Sequence, residues 1–225
     1  MPMLDFTIPQ NSSTSSSVIT RKIECQEKAL RDLIREYQTI LCKNKNETES
    51  WKDAKLKAIN SQACDECIEV IKKAEESIFS EYTFRMEEIS EMENIFFHAM
   101  FIMTYSYFES LVSAMCKHLS LNLKSNVYDK TKAILSKTRK PFIKEVEEKY
   151  NYVTGDLRLI RNLLVHNYNG TPCNDQLIAA QKESDRGIGF SMLQSDTFVI
   201  EKRYIEHVLD CEYDVLKALA STLHL

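Results

Sequence analysis

The run "DLRLIRNLLVHNYNG", Asp156–Gly170, places Arg161, Asn162 and His166 late in an otherwise apolar helical pattern and then breaks off at an Asn/Gly turn. Burying such groups without partners costs about 1–3 kcal/mol each. They therefore require a partner, a solvent-filled cleft or a substrate. On a wheel of 100° per residue, Leu157, Ile160, Leu163 and Leu164 fill the core side, with Leu159 at its margin. Arg158, Arg161, Asn162 and His166 share the other arc, and Asn162 and His166 are i, i+4 neighbours. The chemistry that suits these groups is attack on a phosphodiester. An imidazole near its ordinary pKa takes a proton from an attacking hydroxyl or gives one to a leaving oxygen. A guanidinium pairs with phosphate oxygens and stabilises the charge that builds on them, and the Asn orients either group. One His cannot serve as both acid and base, so the expected site is shared by two copies across a two-fold axis.

The elements that must hold this patch read as helices. The 225 residues contain only four Gly and four Pro, and the hydrophobic content of 44% with 28% charged residues is that of an ordinary globular chain. Residues 1–17, Ser/Thr-rich and polar, are expected to be a flexible arm, and 18–225 a single helical domain whose first part, 18–80, is an N-terminal extension. Apolar spacing predicts one helix from Val18 to Leu41, an interruption at "CKNKNETES", a second helix over Trp51–Ile78, and a third from Tyr82 into "FIMTYSYFESLVSAMC". The end of this third helix is apolar nearly all round, as suits a central helix. After a break at Ser120–Asp129 come "TKAILSK", a helix opened by Pro141, and the motif helix with Thr154 as N-cap and Asn169, Gly170 and Pro172 as its stop. Polar sequence follows, then two β-prone runs, Ile188–Leu193 and Thr197–Ile200, predict a small hairpin. Lys202–Leu223 is the last helix, and the whole reads as an all-α bundle.

No apolar run approaches the roughly 20 residues that cross a bilayer, and no secretory leader opens the chain, so a cytoplasmic location with no membrane partner is expected. Seven Cys in odd number suit reduced thiols. Cys64 and Cys67 form a lone C-x-x-C without a second ligand pair, so neither a metal nor a cofactor is expected. A net charge of −4 argues against a general nucleic-acid coat. Locally the balance reverses: Lys124, Lys130, Lys132, Lys137, Arg139, Lys140 and Lys144 face the single acid Asp129. Read alone, that stretch is a solvated face.

Arg161, Asn162 and His166 near the end of a late helix in an all-α bundle resemble the R-x(4–6)-H motif of the HEPN superfamily. The aromatic helix upstream and the amphipathic closing helix extend the resemblance over about Tyr82–Leu223. It implies a HEPN-type bundle with a homodimeric composite site, catalytic residues Arg161, Asn162 and His166, and metal-independent RNA cleavage by the 2′-OH to a 2′,3′-cyclic phosphate. It also implies a toxin–antitoxin or phage-defence setting, with an antitoxin or activator protein as partner. Tyr168 matches the R-x4-H-x-Y form of HEPN toxins whose Tyr a partner nucleotidyltransferase modifies; the other reading is a ring that stacks on a base or packs at the dimer seam. In this setting Lys137, Arg139, Lys140 and Arg158 become the RNA-backbone contacts. Glu109, in "YSYFES", is the carboxylate expected to reach the motif from the central helix. The competing reading is a noncatalytic nucleotide-, RNA- or protein-binding module in which Arg161 and His166 pair with acids.

Overall fold

The computed structural model describes residues 12–61, 68–139, 142, 144–166, 172–193 and 198–223, without the side chains of residues 12–16 and His166. The fold is all-α with one hairpin. In chain order it comprises α1 (Ser12–Ser61), α2 (Ile68–His118), α3 (Val127–Thr138), α4 (Lys144–Tyr152), a π-helical turn (Val153–Leu157), α5 (Arg158–His166), α6 (Asn174–Arg186), strands β1 (Phe190–Met192) and β2 (Phe198–Ile200), and α7 (Lys202–Thr222).

Two long helices take the place of the three predicted before residue 119. α1 begins at Ser12, inside the segment read as an arm, and runs straight through "CKNKNETES". That stretch lacks Gly and Pro, which are the residues that break helices. Lys43–Glu47 and Lys52–Glu49 ion pairs span its turns, and Thr48 supplies its buried contact. α2 likewise continues unbroken through the expected gap near residue 80. The turn between them, with Cys64 and Cys67, lies outside the described residues.

The chain divides into two compact units, one formed by the residues up to Arg31 with Phe97–Leu225, the other by Asp32–Phe96. Inside the second unit the two helices pair through Tyr37 stacked on Phe96 at 3.5 Å, Tyr37 donating to the Met92 carbonyl at 2.8 Å, and Lys45 on Glu93 at 2.9 Å. Arg85 lies 4.2 Å over the Trp51 ring, and Ile34, Leu41, Ile78 and Ile89 are buried between them.

In the first unit the centre is the late part of α2, where Phe97, Phe101, Tyr105, Phe108, Val112 and Met115 are all buried. By length and composition an 18-residue window of α2 could cross a bilayer, and 44% of it is buried within the fold. Ser120 in the left-handed region and the Leu121 N–H on the Cys116 carbonyl close this helix. α3 starts at Asn126, whose side chain accepts from the Asp129 N–H, and ends at Arg139, a left-handed cap donating to Leu135. Pro141 is outside the described residues. α3 and α4 pack on α7, whose buried line runs Tyr204, Ile205, Val208, Leu209, Glu212, Leu216 and Leu219.

Thr154 is not an N-cap. The chain passes from α4 through the π-helical turn into α5 without leaving the helix, and the Thr154 hydroxyl donates back to the Tyr150 carbonyl at 2.8 Å. The polar sequence after the motif is α6, a helix the apolar pattern did not reveal. Gly187, at φ +65°, ends it, and the predicted hairpin follows, antiparallel with Phe190 opposite Ile200 and Met192 opposite Phe198. At Gly189 a Cβ would come within 2.6 Å of the Arg203 side chain, so only glycine fits there. Phe190 packs on Phe198 and Tyr204, and His98 donates to the Phe198 carbonyl at 3.0 Å, which makes it a structural histidine.

Candidate functional site

The wheel drawn for α5 holds. Leu157, Ile160 and Leu163 are at most 1% exposed and Leu164 is 9% exposed, while Arg158, Arg161 and Asn162 are half-buried. Arg161 is the centre of what can be described. Its Nη1 donates to Asn162 Oδ1 at 3.1 Å, and its Nη2 stands 3.8 Å from Glu109 Oε2. Its Nε is buried without a hydrogen-bond partner among the described residues. Glu109 therefore reaches the motif from the central helix as an ion pair with Arg161. His166 is the last residue of α5; its side chain, Tyr168 and Lys140 lie outside the described residues.

Arg158 turns back along its own helix, donating from Nε to the Thr154 carbonyl at 3.2 Å. Lys137 and Arg139 are exposed at the end of α3, with no ion pair or hydrogen bond from either side chain to α5 among the described residues. Asp156 is bound by α6, through Lys182 at 2.6 Å and Arg186 at 3.7 Å.

The fold adds two residues that sequence reasoning did not single out. Glu212 of α7 is 1% exposed, and one of its carboxyl oxygens has no hydrogen-bond partner among the described residues. Burial, with the negative charge of Glu109 added to it, pushes this carboxyl well above the usual carboxylate range, so it holds its proton more tightly than an exposed Glu does. Tyr105 of α2 is fully buried, its hydroxyl without a hydrogen-bond partner among the described residues. Burial raises its phenol first; the charges of Glu109 and Glu212 raise it further, while Arg158 and Arg161 pull it down. Glu109, Arg158, Arg161 and Glu212, drawn from α2, α5 and α7, thus all act electrostatically on Tyr105. A signal for Glu212 existed: it occupies the core step between Leu209 and Leu216 on the α7 wheel, where an acid is out of place.

His207 is half-buried, its ring 5.6 Å from that of Tyr152 and its Nε2 3.7 Å from Cys211 Sγ. Burial, then the cation of Arg186, lowers its pKa, so it stays neutral, and burial pushes the Cys211 thiol up to about 11, which makes it a poor nucleophile. Chemically, the arrangement at Arg161 offers a partly exposed guanidinium restrained by Asn162 and Glu109, with a buried Nε that has no partner among the described residues. No family model matches the chain, and comparison with curated proteins and with solved structures returns no match.

Proposed function

We propose that the chain is a metal-independent endoribonuclease of the HEPN type, acting as a homodimer in the cytoplasm within a toxin–antitoxin or phage-defence setting. The observation that carries the reading is the state of Arg161: on the solvent side of α5, five residues before His166, held by Asn162 and Glu109 yet still 26% exposed. His166 of one copy takes the proton of the RNA 2′-OH. O2′ then attacks phosphorus, forming the P–O2′ bond as P–O5′ breaks, and O5′ leaves with a proton from the imidazolium of the second copy. Arg161 stabilises the non-bridging oxygens. The products are a 2′,3′-cyclic phosphate and a 5′-OH, and DNA is spared because it has no 2′-OH.

A second reading has its own support. The Arg161–Glu109 ion pair is what a noncatalytic module would use to neutralise the motif, leaving a face that binds a nucleotide or a partner protein. One experiment separates them. Purified protein is expected to cleave single-stranded RNA in EDTA, and Arg161→Ala and His166→Ala each to abolish cleavage with helical content unchanged. Cleavage surviving in both variants assigns it to another site or a contaminant; a wild type that binds a nucleotide and cuts no RNA selects the second reading.

A further inference from the structure

We propose that Glu183 is a positioning residue: with Tyr152 and Arg186 it latches the π-helical turn Val153–Leu157, and that turn presents Arg161 and Asn162 to solvent. This inference rests on the proposed function for its activity readout only.

A π turn fits one extra residue into a helix, so α5 is rotated relative to α4 by about one residue's 100°. The rotation decides the site. With it, Leu157, Ile160 and Leu163 are buried and Arg161 and Asn162 face outward. A slip of one position in either direction would bring 158 and 161, or 159 and 162, onto the core line instead. Either way a charged or amide side chain of the motif would lie against Phe and Leu.

The turn does not hold itself. Gly155 within it has no positive φ, and a Cβ there would meet open space, so glycine geometry does not create the bulge. The side chains that flank it are instead tied to one turn of α6. Tyr152, immediately before the bulge, donates its hydroxyl to Glu183 Oε2 at 2.6 Å. Asp156, inside it, is held by Lys182 and Arg186. Arg186 joins the two ends: its guanidinium lies 4.5 Å over the Tyr152 ring, and its Nε is 3.1 Å from Glu183 Oε1, off the line of a hydrogen bond. The buried hydroxyl of Tyr204 and the ring of His207 close the cluster from α7.

Glu183 is 0% exposed on a helix whose other buried residues are Ala179 and Ala180. For packing alone an apolar side chain would serve better, because a buried ion pair seldom adds stability over one. What the carboxylate adds is a directional hydrogen bond from the Tyr152 hydroxyl together with a charge contact to Arg186.

The test uses the full chain carrying Glu183→Gln, which keeps the shape and an acceptor but loses the charge, and Tyr152→Phe, which removes one oxygen and stays informative where the first variant does not fold. Gln181→Ala, on the exposed side of α6, is the control. Amide hydrogen exchange over 158–166 is expected to speed up about tenfold or more in both variants with 202–222 unchanged. For RNA cleavage, kcat is expected to fall about tenfold or more with KM moving less than about threefold, since misorientation costs turnover before binding. Unchanged exchange in α5, or equal loosening of α7, overturns the latch, as does a selectively loosened α5 with wild-type kcat. If the wild type cleaves no RNA, the exchange result still decides the latch, so failure of the ribonuclease reading is seen separately.

Discussion

Arg161 touches an amide oxygen on its own helix and a carboxylate on the central helix, while its buried Nε has no partner among the described residues. A guanidinium has five donors in a rigid fork, and here only part of the fork is used. The Glu109 contact, at 3.8 Å between groups that are 26% and 38% exposed, is loose enough for a phosphate to compete. Glu109 therefore restrains the cation without neutralising it. Glu109→Gln is expected to leave Arg161 with more unpaired charge and less orientation, so RNA binding tightens about two- to fivefold while turnover falls about tenfold. Filter binding on a non-cleavable 2′-deoxy oligonucleotide measures the first and initial rates the second. Weaker binding in the variant would mean that Glu109 holds the motif in shape and does not compete with the substrate.

At the scale of elements, the exposed end of α3 is the testable part of the RNA path. Lys137 and Arg139 have no acid partner among the described residues, and Arg139 is fixed by its left-handed cap. Lys137→Ala with Arg139→Ala is expected to weaken RNA binding and to flatten the plot of log affinity against log salt by about 1 to 1.5, the release of two counterions from a single strand. An unchanged slope would return the pair to the role of solvated face. What the sequence disclosed about these elements depended on how strong the local pattern was. α5, the hairpin and α7 were legible because their apolar residues are large and regularly spaced. α6 was not, because its buried residues are Ala179, Ala180 and Glu183, which make no hydrophobic stripe. The break near residue 46 was expected from polar content alone, whereas ion pairs one helical turn apart carry α1 through it. The π turn was invisible because residues 146, 150, 153, 157, 160 and 164 keep an unbroken three-and-four spacing; only the backbone of the folded chain reveals the extra residue. In the site, Arg161, Asn162 and Glu109 were legible by type and position, while Glu212, Tyr105 and Glu183 depend on which helices meet.

The two units differ in what they ask of their charges. In Asp32–Phe96 the ion pairs are at the surface, where each contributes about 0–1 kcal/mol and salt screens it. The unit that carries the motif instead buries carboxyls, and that ties the stability of the whole molecule to pH. Glu212 has the clearest sign. Its carboxyl is raised above its unfolded value near 4.5 by burial and then by Glu109, so the folded state keeps a proton that the unfolded state has released. Below pH about 4 both states hold that proton and Glu212 contributes no slope. As pH rises from there toward the raised value, the unfolded chain ionises freely and the fold does not, and stability is lost. Glu183, raised by burial against the lowering effect of Tyr152, adds a slope of the same sign, while His98 and His207, held neutral by burial, add the opposite one below about pH 6.5. The Glu212→Gln variant shares all of these other groups, so the difference from wild type isolates Glu212. Its melting temperature is expected to lie close to wild type at pH 4 and to exceed it by a margin that grows up to neutral pH. Thermal melts across pH 4–8 followed by circular dichroism measure that margin. A margin that stays flat, or one that shrinks as pH rises, would mean that the folded molecule carries Glu212 as a paired carboxylate, and the site around Arg161 would then hold one more negative charge than the geometry assigns to it.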